Sequence, residues 1–294
     1  MITKRRKIKF IINPISSFGR KKIIEKLVRD TLAEDKYYYE IVYTVEPGQG
    51  TAIAKSASDT GYDTVVAVGG DGSINEIAKG LIGTATKLGI IPAGSGNGLA
   101  RHLKIPFNPA NALKLILDDN TKKIDTININ NEKFVSIAGI GYDGFVAKEY
   151  AKAGKHGFWS YFKIISQNYL EYKPKKYNLN IDGNELTVKA LMINFANSSQ
   201  FGYNTSISPN ASLEDGLIDV CILKKIPVVE LPLLAQLLFI KQIHRTKYVK
   251  IIQAKHIIVE RKRNRYINLD GESVKVGKRL EITINPKSLI LLVP

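Results

Sequence analysis

The sequence predicts an α/β domain built on a parallel sheet, followed by a mostly antiparallel β domain. In the first part of the chain, apolar β-branched runs alternate with helical patterns, and this alternation is typical of a parallel sheet covered by helices. Two of the runs break into glycine-rich loops that open the next helix. After Asp125 the pattern changes to short strands joined by hairpin-type turns. We therefore predict an α/β domain over residues 1–125, which residues 286–294 could complete, and a β domain over residues 126–285.

The elements of the predicted α/β domain follow one another without long linkers. Strand patterns cover residues 7–12, 37–44, 65–68 and 88–92. Helical patterns cover residues 21–33 and 109–118, and further helices are predicted to begin near residues 48–51, at residue 73 and after residue 98. Ligands of such sheets bind at the carboxyl ends of the strands, so the loops after these strands are the candidate binding loops.

The stretch from Asp63 to Glu76 carries the clearest site signal. An apolar run typical of a strand buried on both faces breaks into Gly69-Gly70-Asp71-Gly72, and Ser73 then opens a helix with Glu76 as its capping partner. Exposed backbone N–H groups, the helix dipole and the missing Cβ atoms would together attract a phosphate. Asp71 is unexpected there, because an acid repels phosphate unless it holds a metal ion or handles a proton.

A second glycine loop, Ala93-Gly94-Ser95-Gly96-Asn97-Gly98, follows the next strand. Two such loops at one sheet edge could face a single nucleotide from both sides. The alternative is a pair of tight strand-to-helix turns, but the hydroxyls of Ser73 and Ser95 beside the glycines favour nucleotide binding. No Walker A pattern is present, which excludes P-loop NTPase chemistry.

In the β domain, helical patterns interrupt the strands at residues 145–171 and 229–243. The segment 139–144 formally matches a dinucleotide fingerprint, but no βαβ unit follows it, so a turn or domain-interface loop is favoured over NAD binding. The Leu-rich run 228–243 is too short to span a bilayer. A core helix is favoured there, although an apolar face with a basic end also suits a lipid-facing groove.

Two acidic turns are candidate chemical sites. Asp215 and its neighbours place three acids around a turn before a strand, which indicates either a solvated hairpin or a metal site. Asp270-Gly271-Glu272 is a typical hairpin turn, and its paired acids could also divide metal and proton duties. Cys221 lies on a predicted strand and is interpreted as a core residue.

Charge is the strongest compositional signal. The formal net charge of +16 over 294 residues favours anionic partners, either nucleotides or acidic lipid surfaces, although it could also serve solubility alone. No recognition-helix pattern, RNP-type aromatic motif or zinc knuckle supports nucleic-acid binding. One cysteine and four histidines encode neither an internal disulfide nor a zinc cluster, and we expect a cytoplasmic protein without a cleaved signal.

Several motifs, in the same order along nearly the whole chain, resemble the diacylglycerol kinase catalytic-domain family. That family includes bacterial lipid kinases and eukaryotic sphingosine and ceramide kinases. The stretch Gly69 to Glu76 is similar to its GGDG(T/S)xNE signature. The other matching motifs are Asn13-Pro14, Thr44 with Pro47-Gly48, Pro92 to Asn97, Asp215-Gly216-Leu217 and Asp270-Gly271-Glu272.

The resemblance implies an α/β nucleotide domain like that of phosphofructokinases and NAD kinases, a β-sandwich domain, and transfer of the γ-phosphoryl group of ATP, with Mg²⁺, to a lipid hydroxyl. The implied ATP contacts are Thr44, Gly69, Gly70, Asp71, Gly72, Ser73, Ile74, Asn75 and Ser95. The implied catalytic acids, which would also form a Mg²⁺-water network at the domain interface, are Glu272, Asp71, Asp270 and Asp125. A structural Mg²⁺ would lie on Asp215 and on the backbone carbonyls of Ser212 and Leu217.

The resemblance leaves several alternatives open. Glu272 would be the general base in bacterial enzymes, whereas the sphingoid branch gives that role to the residue matching Asp71. Bacterial diacylglycerol kinases usually carry Asn-Asp-Phe where this chain has Asn97-Gly98-Leu99, a sequence nearer to the sphingosine and ceramide kinases. The lipid would be diacylglycerol or a related lipid, met at the inner membrane face by a peripheral protein that could be a homodimer. A soluble-substrate kinase of the NAD kinase type and a regulator without catalysis are the competing hypotheses.

Overall fold

The computed structural model describes residues 5–14, 21–94, 96–154, 157–200, 205–263 and 265–294. The chain divides into two compact units. Unit 1 comprises Met1–Ile124 and Lys287–Pro294, and unit 2 comprises Asp125–Pro286.

Strands and helices alternate in unit 1. In chain order its elements are β1 (Arg6–Ile12), α1 (Lys21–Thr31), β2 (Tyr37–Tyr43), α2 (Gln49–Asp59), β3 (Thr64–Gly69), α3 (Asp71–Leu81), β4 (Lys87–Pro92), α4 (Gly98–His102), α5 (Pro109–Asp118) and the start of β5 (Thr121–Ile129), which continues into unit 2.

The sheet of unit 1 is parallel, as predicted. Its strand order is β2-β1-β3-β4, and the end of the C-terminal strand lies parallel to β4 through the pair Leu291 and Leu88. Every residue of β3 is buried, in agreement with a central strand covered on both faces. One face packs against α1 and α5 around Phe10, Val66 and Ile116. All four strands therefore deliver their carboxyl ends to the same edge of the sheet.

Unit 2 is mostly antiparallel. Its further elements are β6 (Glu132–Phe134), β7 (Ile137–Gly141), α6 (Tyr142–Ala153), α7 (Phe158–Tyr169), β8 (Lys175–Ile181), β9 (Asn184–Ala190), β10 (Met192–Ala196), β11 (Ile218–Leu223), α8 (Leu231–Phe239), β12 (Val249–Ala254), β13 (His256–Glu260), β14 (Arg265–Leu269), β15 (Glu272–Val276) and β16 (Arg279–Leu292), whose last residues belong to unit 1.

Two sheets enclose the core of unit 2. One has the order β12-β11-β10-β7-β14-β15, and the other places β16, β13, β8 and β9 side by side. Fully buried side chains from both sheets, among them Phe195, Val259 and Ile267, form one cluster. A second cluster joins the first sheet to α6, α7 and α8. The predicted β-sandwich is confirmed.

The helical pattern predicted over residues 145–171 corresponds to two helices, α6 and α7. Gly154 and Gly157 have φ values of 62° and 117°, which are outside the helical region and end the first helix before the second begins. The run 228–243 contains α8 between two short 3₁₀ turns. Among the described residues, no helix is long and apolar enough to cross a membrane.

Candidate active site

In unit 1 the two glycine loops touch through their backbones. β3 and β4 pair as far as Gly69 and Pro92, and the N–H of Ala93 donates to the carbonyl of Gly69 at 2.8 Å. A Cβ on Gly94 would lie 2.4 Å from the Cα of Gly70, closer than real Cβ atoms come to other heavy atoms. Glycine is therefore required for this approach, and the two loops form one glycine-lined edge.

This contact predicts a stability loss for Gly94→Ala. The added methyl would have to push the two backbones apart, and such overpacking typically costs about 1–3 kcal/mol. We expect urea unfolding to show a loss of that size. The matched control is Gly277→Ala, because a Cβ at Gly277 would meet no heavy atom closer than 4.0 Å. If both variants lose the same free energy of unfolding, the close contact between Gly70 and Gly94 does not require glycine.

Asp71 is the first residue of α3, and its carboxylate reaches the second loop. The N–H of Gly98 donates to Oδ1 at 2.6 Å, and a Cβ on Gly96 would lie 2.6 Å from Oδ2. Burial raises the pKa of Asp71, while the backbone N–H groups of residues 97–99 and the charge of Arg101 oppose that rise. The acid that looked out of place in the sequence thus links the two loops.

The capping box predicted at Ser73 is wrong. α3 begins at Asp71, and its N-cap is Gly70, which has no side chain to cap the helix. The Ser73 hydroxyl instead accepts from the Nδ2 of Asn13 at 2.9 Å, across from the end of β1. Ser73 therefore bonds to Asn13, which is distant in the sequence, and not to a group at the start of its own helix. This hydrogen bond holds α3 against the end of β1.

Glu76 also serves tertiary structure rather than its own helix. Its carboxylate accepts from the N–H groups of Gly48 and Gly50 at 2.9 and 3.2 Å, which fastens the start of α2 to α3. Thr44, at the end of β2, is buried, and its N–H donates to the carbonyl of Ile12 at 3.1 Å. The described residues among those predicted in unit 1 therefore lie at the carboxyl edge of the sheet.

Asn75 is an unsatisfied polar group at this edge. The residue is 3% exposed, and within the described part of the chain neither Nδ2 nor Oδ1 has a hydrogen-bond partner. A buried unpaired amide is costly, and each such case in a native structure calls for a partner such as a ligand or an ion. Ile74 is buried beside it. Ser95 lies outside the described residues.

In unit 2, Asp270 and Gly271 form the two-residue turn between β14 and β15. Both have positive φ, 46° and 94°, and Leu269 pairs directly with Glu272 across the turn, which fits the predicted hairpin. The Asp270 carboxylate accepts the backbone N–H groups of residues 135, 136 and 137 at 2.7–2.9 Å. Those bonds fix the turn, and Glu272 follows as a half-exposed side chain at its rim.

Behind the turn lies a buried carboxylate that the sequence did not identify as functional. Asp143 is 2% exposed and accepts from the Nδ2 of Asn194 at 2.8 Å and from the Nδ2 of Asn268 at 3.1 Å. The Oδ1 of Asn268 in turn accepts the N–H of Gly271 at 2.9 Å. Asp143 therefore orients an amide that holds the turn next to Glu272.

The glycines of segment 139–144 make room for this carboxylate. A Cβ on Gly139 would lie 1.7 Å from the Oδ2 of Asp143. β7, which carries Gly139, pairs antiparallel with β10 and β14, so the segment does not belong to a βαβ unit. A Gly-x-Gly followed closely by Asp was the one sequence signal that could have pointed to the cluster.

The buried carboxyl group of Asp143 should make the free energy of unfolding depend on pH. Burial raises its pKa to about 6, with the amides of Asn268 and Asn194 opposing the rise. Because the folded pKa exceeds the unfolded value of about 3.9, the folded state binds this proton more tightly, and the resulting stabilisation is lost as pH rises through about 6. The free energy of unfolding relative to Asp143→Asn should fall by about 3 kcal/mol between about pH 3.5 and 7.

Urea titrations of both proteins across that pH range measure this difference. The subtraction removes the contributions of every other titrating group. A difference that does not change with pH would contradict the raised pKa of Asp143.

A third group of acids surrounds the turn before β11. Asp125 is fully buried, and its Oδ2 accepts the N–H of Gly216 at 2.8 Å. Asp215 accepts the N–H of Leu217 at 3.0 Å. Burial raises the pKa of Asp215, and the charges of Asp219 and Asp125 raise it further. Carboxylates that repel one another in this way would gain from a divalent cation.

The donors at this turn fit a hard cation such as Mg²⁺, which prefers oxygen ligands. No group of three or more His, Cys, Asp or Glu side chains suited to a metal occurs among the described residues. A cation here would therefore need oxygens besides Asp215, as in the predicted set with the carbonyls of Ser212 and Leu217. That set stays a prediction. Cys221, on the following strand, is fully buried, and burial raises the pKa of its thiol, in line with a core role.

Two family models match successive parts of the chain. Residues 7–129 match the diacylglycerol kinase catalytic domain, and residues 136–293 match the YegS C-terminal NAD kinase β-sandwich-like domain. The chain belongs to the family that combines these two domains.

Named relatives cover most of the chain. It is 28% identical over 277 residues to a diacylglycerol kinase of Staphylococcus epidermidis, covering 91% of this chain and 86% of that protein. It is 29% identical over 276 residues to a diacylglycerol kinase of Staphylococcus aureus, with the same two coverages. A crystal structure of a Bacillus anthracis protein shares the fold with a TM-score of 0.81 at 24% identity, covering 99% of this chain and 96% of that one.

Proposed function

We propose that the protein is an ATP-dependent lipid kinase that transfers the γ-phosphoryl group to a hydroxyl of diacylglycerol or a related lipid. The observation that carries this proposal is the pair of touching glycine loops linked by Asp71, in a chain whose two halves both match the family. Such an edge offers backbone N–H groups to phosphates, and the unpaired amide of Asn75 offers a further donor and acceptor.

In this mechanism unit 1 binds ATP and unit 2 activates the lipid hydroxyl. The loops at residues 69–75 and 93–98, with Thr44, hold the phosphates in position. The lipid hydroxyl oxygen attacks the γ-phosphorus, the bond to the β-γ bridging oxygen breaks, and ADP leaves. The hydroxyl proton passes to a carboxylate. Mg²⁺, when bound, would neutralise charge on the phosphates, and Asp71 is the acid that would hold its water ligands.

Glu272 is the better candidate for the general base. It lies at the rim of a hairpin turn that is braced from behind by Asp143 and Asn268, so its backbone is fixed while its side chain remains partly exposed. Asp71, in contrast, already accepts a short hydrogen bond from Gly98. Asp270 uses both carboxylate oxygens for backbone N–H groups, which supports a positioning role for it.

An exposed apolar face on unit 2 supports a lipid substrate at a membrane surface. Trp159 and Phe162 lie one helical turn apart on α7 and are exposed, Trp159 to 78%, and Leu170, the residue that caps the end of α7, is exposed as well. In the segment before α8, Val229 is 88% exposed. The Nζ of Lys225 donates to the carbonyl of Leu170 at 2.9 Å, which joins the two parts.

Large exposed apolar patches mark interaction sites, and the basic residues of this protein suit an anionic surface. In the proposal this face meets the inner leaflet, so the kinase is peripheral to the membrane and cytoplasmic. Phe239, the last residue of α8, and Ile240, which follows it, are also exposed apolar side chains, and Lys241 comes next.

A sphingoid base or ceramide is the second candidate substrate, favoured by Gly98. The N–H of Gly98 binds Asp71 without any side chain at that position, so the loop closes without the acid that bacterial diacylglycerol kinases carry there. A direct comparison of acceptors decides between diacylglycerol and a sphingoid base or ceramide.

The test is a labelling assay with γ-labelled ATP and four separate acceptors, namely diacylglycerol, sphingosine, ceramide and NAD. The proposal expects label in a lipid product, with diacylglycerol the best acceptor. Label transferred to NAD in the absence of detergent or lipid would overturn it in favour of a soluble-substrate kinase. Tight ATP binding without transfer to any acceptor would indicate a regulator.

A further inference from the structure

Three cations of unit 2 lie together without a carboxylate partner. Lys175 begins β8, Arg265 begins β14, and Arg261 follows the end of β13. Burial, followed by the charges of Arg265 and Arg261, lowers the pKa of Lys175 to about 8. Burial and the charge of Arg265 likewise lower the pKa of Arg261. Within the described part of the chain, no ion pair neutralises any of the three.

A buried hydroxyl without a partner belongs to the same cluster. Tyr177 is 3% exposed, and no group in the described residues hydrogen-bonds its hydroxyl. β13 pairs antiparallel with β8 as far as Glu260 and Asn178, so the register brings Arg261 next to Tyr177. Burial raises the pKa of Tyr177 to about 12, and the charges of Arg261 and Arg265 oppose the rise. A buried O–H donor beside these cations lacks an acceptor, and an anion would supply one.

The backbone around the cluster is fixed. Arg261 donates to the carbonyls of Gly277, Val276 and Arg265 at 2.8–3.2 Å, and these bonds tie the ends of β13, β14 and β15 together. Lys175 donates to the hydroxyl of Tyr172 at 2.8 Å. The charges of Arg261 and Lys175 are therefore held in place by the fold, and Arg265 adds an exposed cation beside them.

The cluster is remote from the turn that carries Glu272. Arg265 and Leu269 are the two ends of β14, and four strand steps of about 3.3 Å separate them by roughly 13 Å. Lys175 and Tyr177 lie on the same face of β8, the face whose later residues, Leu179 and Ile181, point into the sandwich core. The cations thus lie at the end of the sandwich opposite the hairpin turn.

We propose that Lys175, Arg265 and the Tyr177 hydroxyl bind a phosphate group, with Arg261 contributing a fixed positive charge. A phosphate carries up to two negative charges and several acceptor oxygens, which suits two cations and a hydroxyl donor better than a single carboxylate would. The phosphate could come from free inorganic phosphate or from a phospholipid headgroup. The inference is independent of the kinase proposal, because it concerns binding only.

The first experiment compares thermal unfolding of the full chain with and without inorganic phosphate, at matched ionic strength in chloride. At roughly 100 times the dissociation constant, phosphate should raise the Tm by about 4 °C. Lys175→Met should lose this response. Lys176→Met is the matched control, because it makes the same charge change at the exposed neighbour on the opposite face of β8.

A second variant covers the case in which Lys175→Met does not fold. Tyr177→Phe removes only the unpaired hydroxyl, so it should fold normally and bind phosphate about tenfold more weakly.

The lipid arm measures sedimentation with vesicles of phosphatidylcholine, alone or mixed equally with phosphatidylglycerol. If wild type and Lys176→Met bind the mixed vesicles more tightly than Lys175→Met does, while inorganic phosphate has no effect, the ligand is a lipid headgroup. A response to inorganic phosphate that requires Lys175 identifies free phosphate as sufficient. If Lys175→Met and Lys176→Met behave alike in both arms, the site does not exist.

Discussion

Replacing Glu272 by glutamine is expected to lower kcat for lipid phosphorylation by about 10²–10⁴-fold, the usual contribution of a positioned general base. Glutamine keeps the size of the side chain but cannot accept the hydroxyl proton. Because the turn is held by Asp270 and Asn268, the substitution should leave the fold intact. The KM for ATP should stay near its wild-type value, because phosphate binding is assigned to unit 1.

The measurement is steady-state kinetics with a lipid acceptor in mixed micelles. Glu260→Gln, an exposed glutamate at the end of β13, is the matched control and should retain wild-type kcat. A Glu272→Gln enzyme with near-normal kcat would remove Glu272 from the catalytic step and leave Asp71 as the candidate base.

Replacing Asp71 by asparagine is expected to lower kcat/KM for ATP by about 10²–10³-fold. The neutral amide retains an oxygen for the N–H of Gly98, so the loops should stay linked, but it lacks the charge that, in the proposed mechanism, would hold a metal-bound water. Stability should be maintained or raised, because burial disfavours the charged form of Asp71. Loss of activity without loss of stability would separate a functional role from a structural one.

Asp59→Asn, an exposed acid at the end of α2, is the control for this change. The pH profiles decide between the two acids. If Glu272 is the base, the rise of kcat with pH should persist in Asp71→Asn and disappear in Glu272→Gln. The reverse pattern would assign the proton to Asp71, as in the sphingoid branch.

The sequence predicted those features that depend on local pattern. Apolar β-branched runs such as Val65 to Val68 identified the buried strands, and glycine loops after two of them identified the binding edge. The Asp270-Gly271 pair identified a hairpin turn, because both positions require positive φ, which Gly and Asp tolerate. These signals each lie within a few residues, and the fold class they predicted is confirmed.

Features that depend on distant partners were missed. The start of α3 was misplaced because Ser73 and Glu76 bond to Asn13 and to Gly48 and Gly50, which no local rule anticipates. The Asp143 cluster joins residues 51 and 125 positions apart in the sequence. Such contacts exist only once the sheets have assembled. The sequence alone therefore could not show whether the carboxylate of Asp143 supports the turn next to Glu272 or lies in solvent.

A labelling experiment tests the proposed kinase activity most directly. The purified protein is incubated with γ-labelled ATP and diacylglycerol in mixed micelles, and the products are extracted into organic solvent. We expect labelled lipid whose formation requires added diacylglycerol and Mg²⁺. The double variant Asp71→Asn, Glu272→Gln should form none. Labelled lipid formed equally by wild type and the double variant, or label found only in water-soluble products, would contradict it.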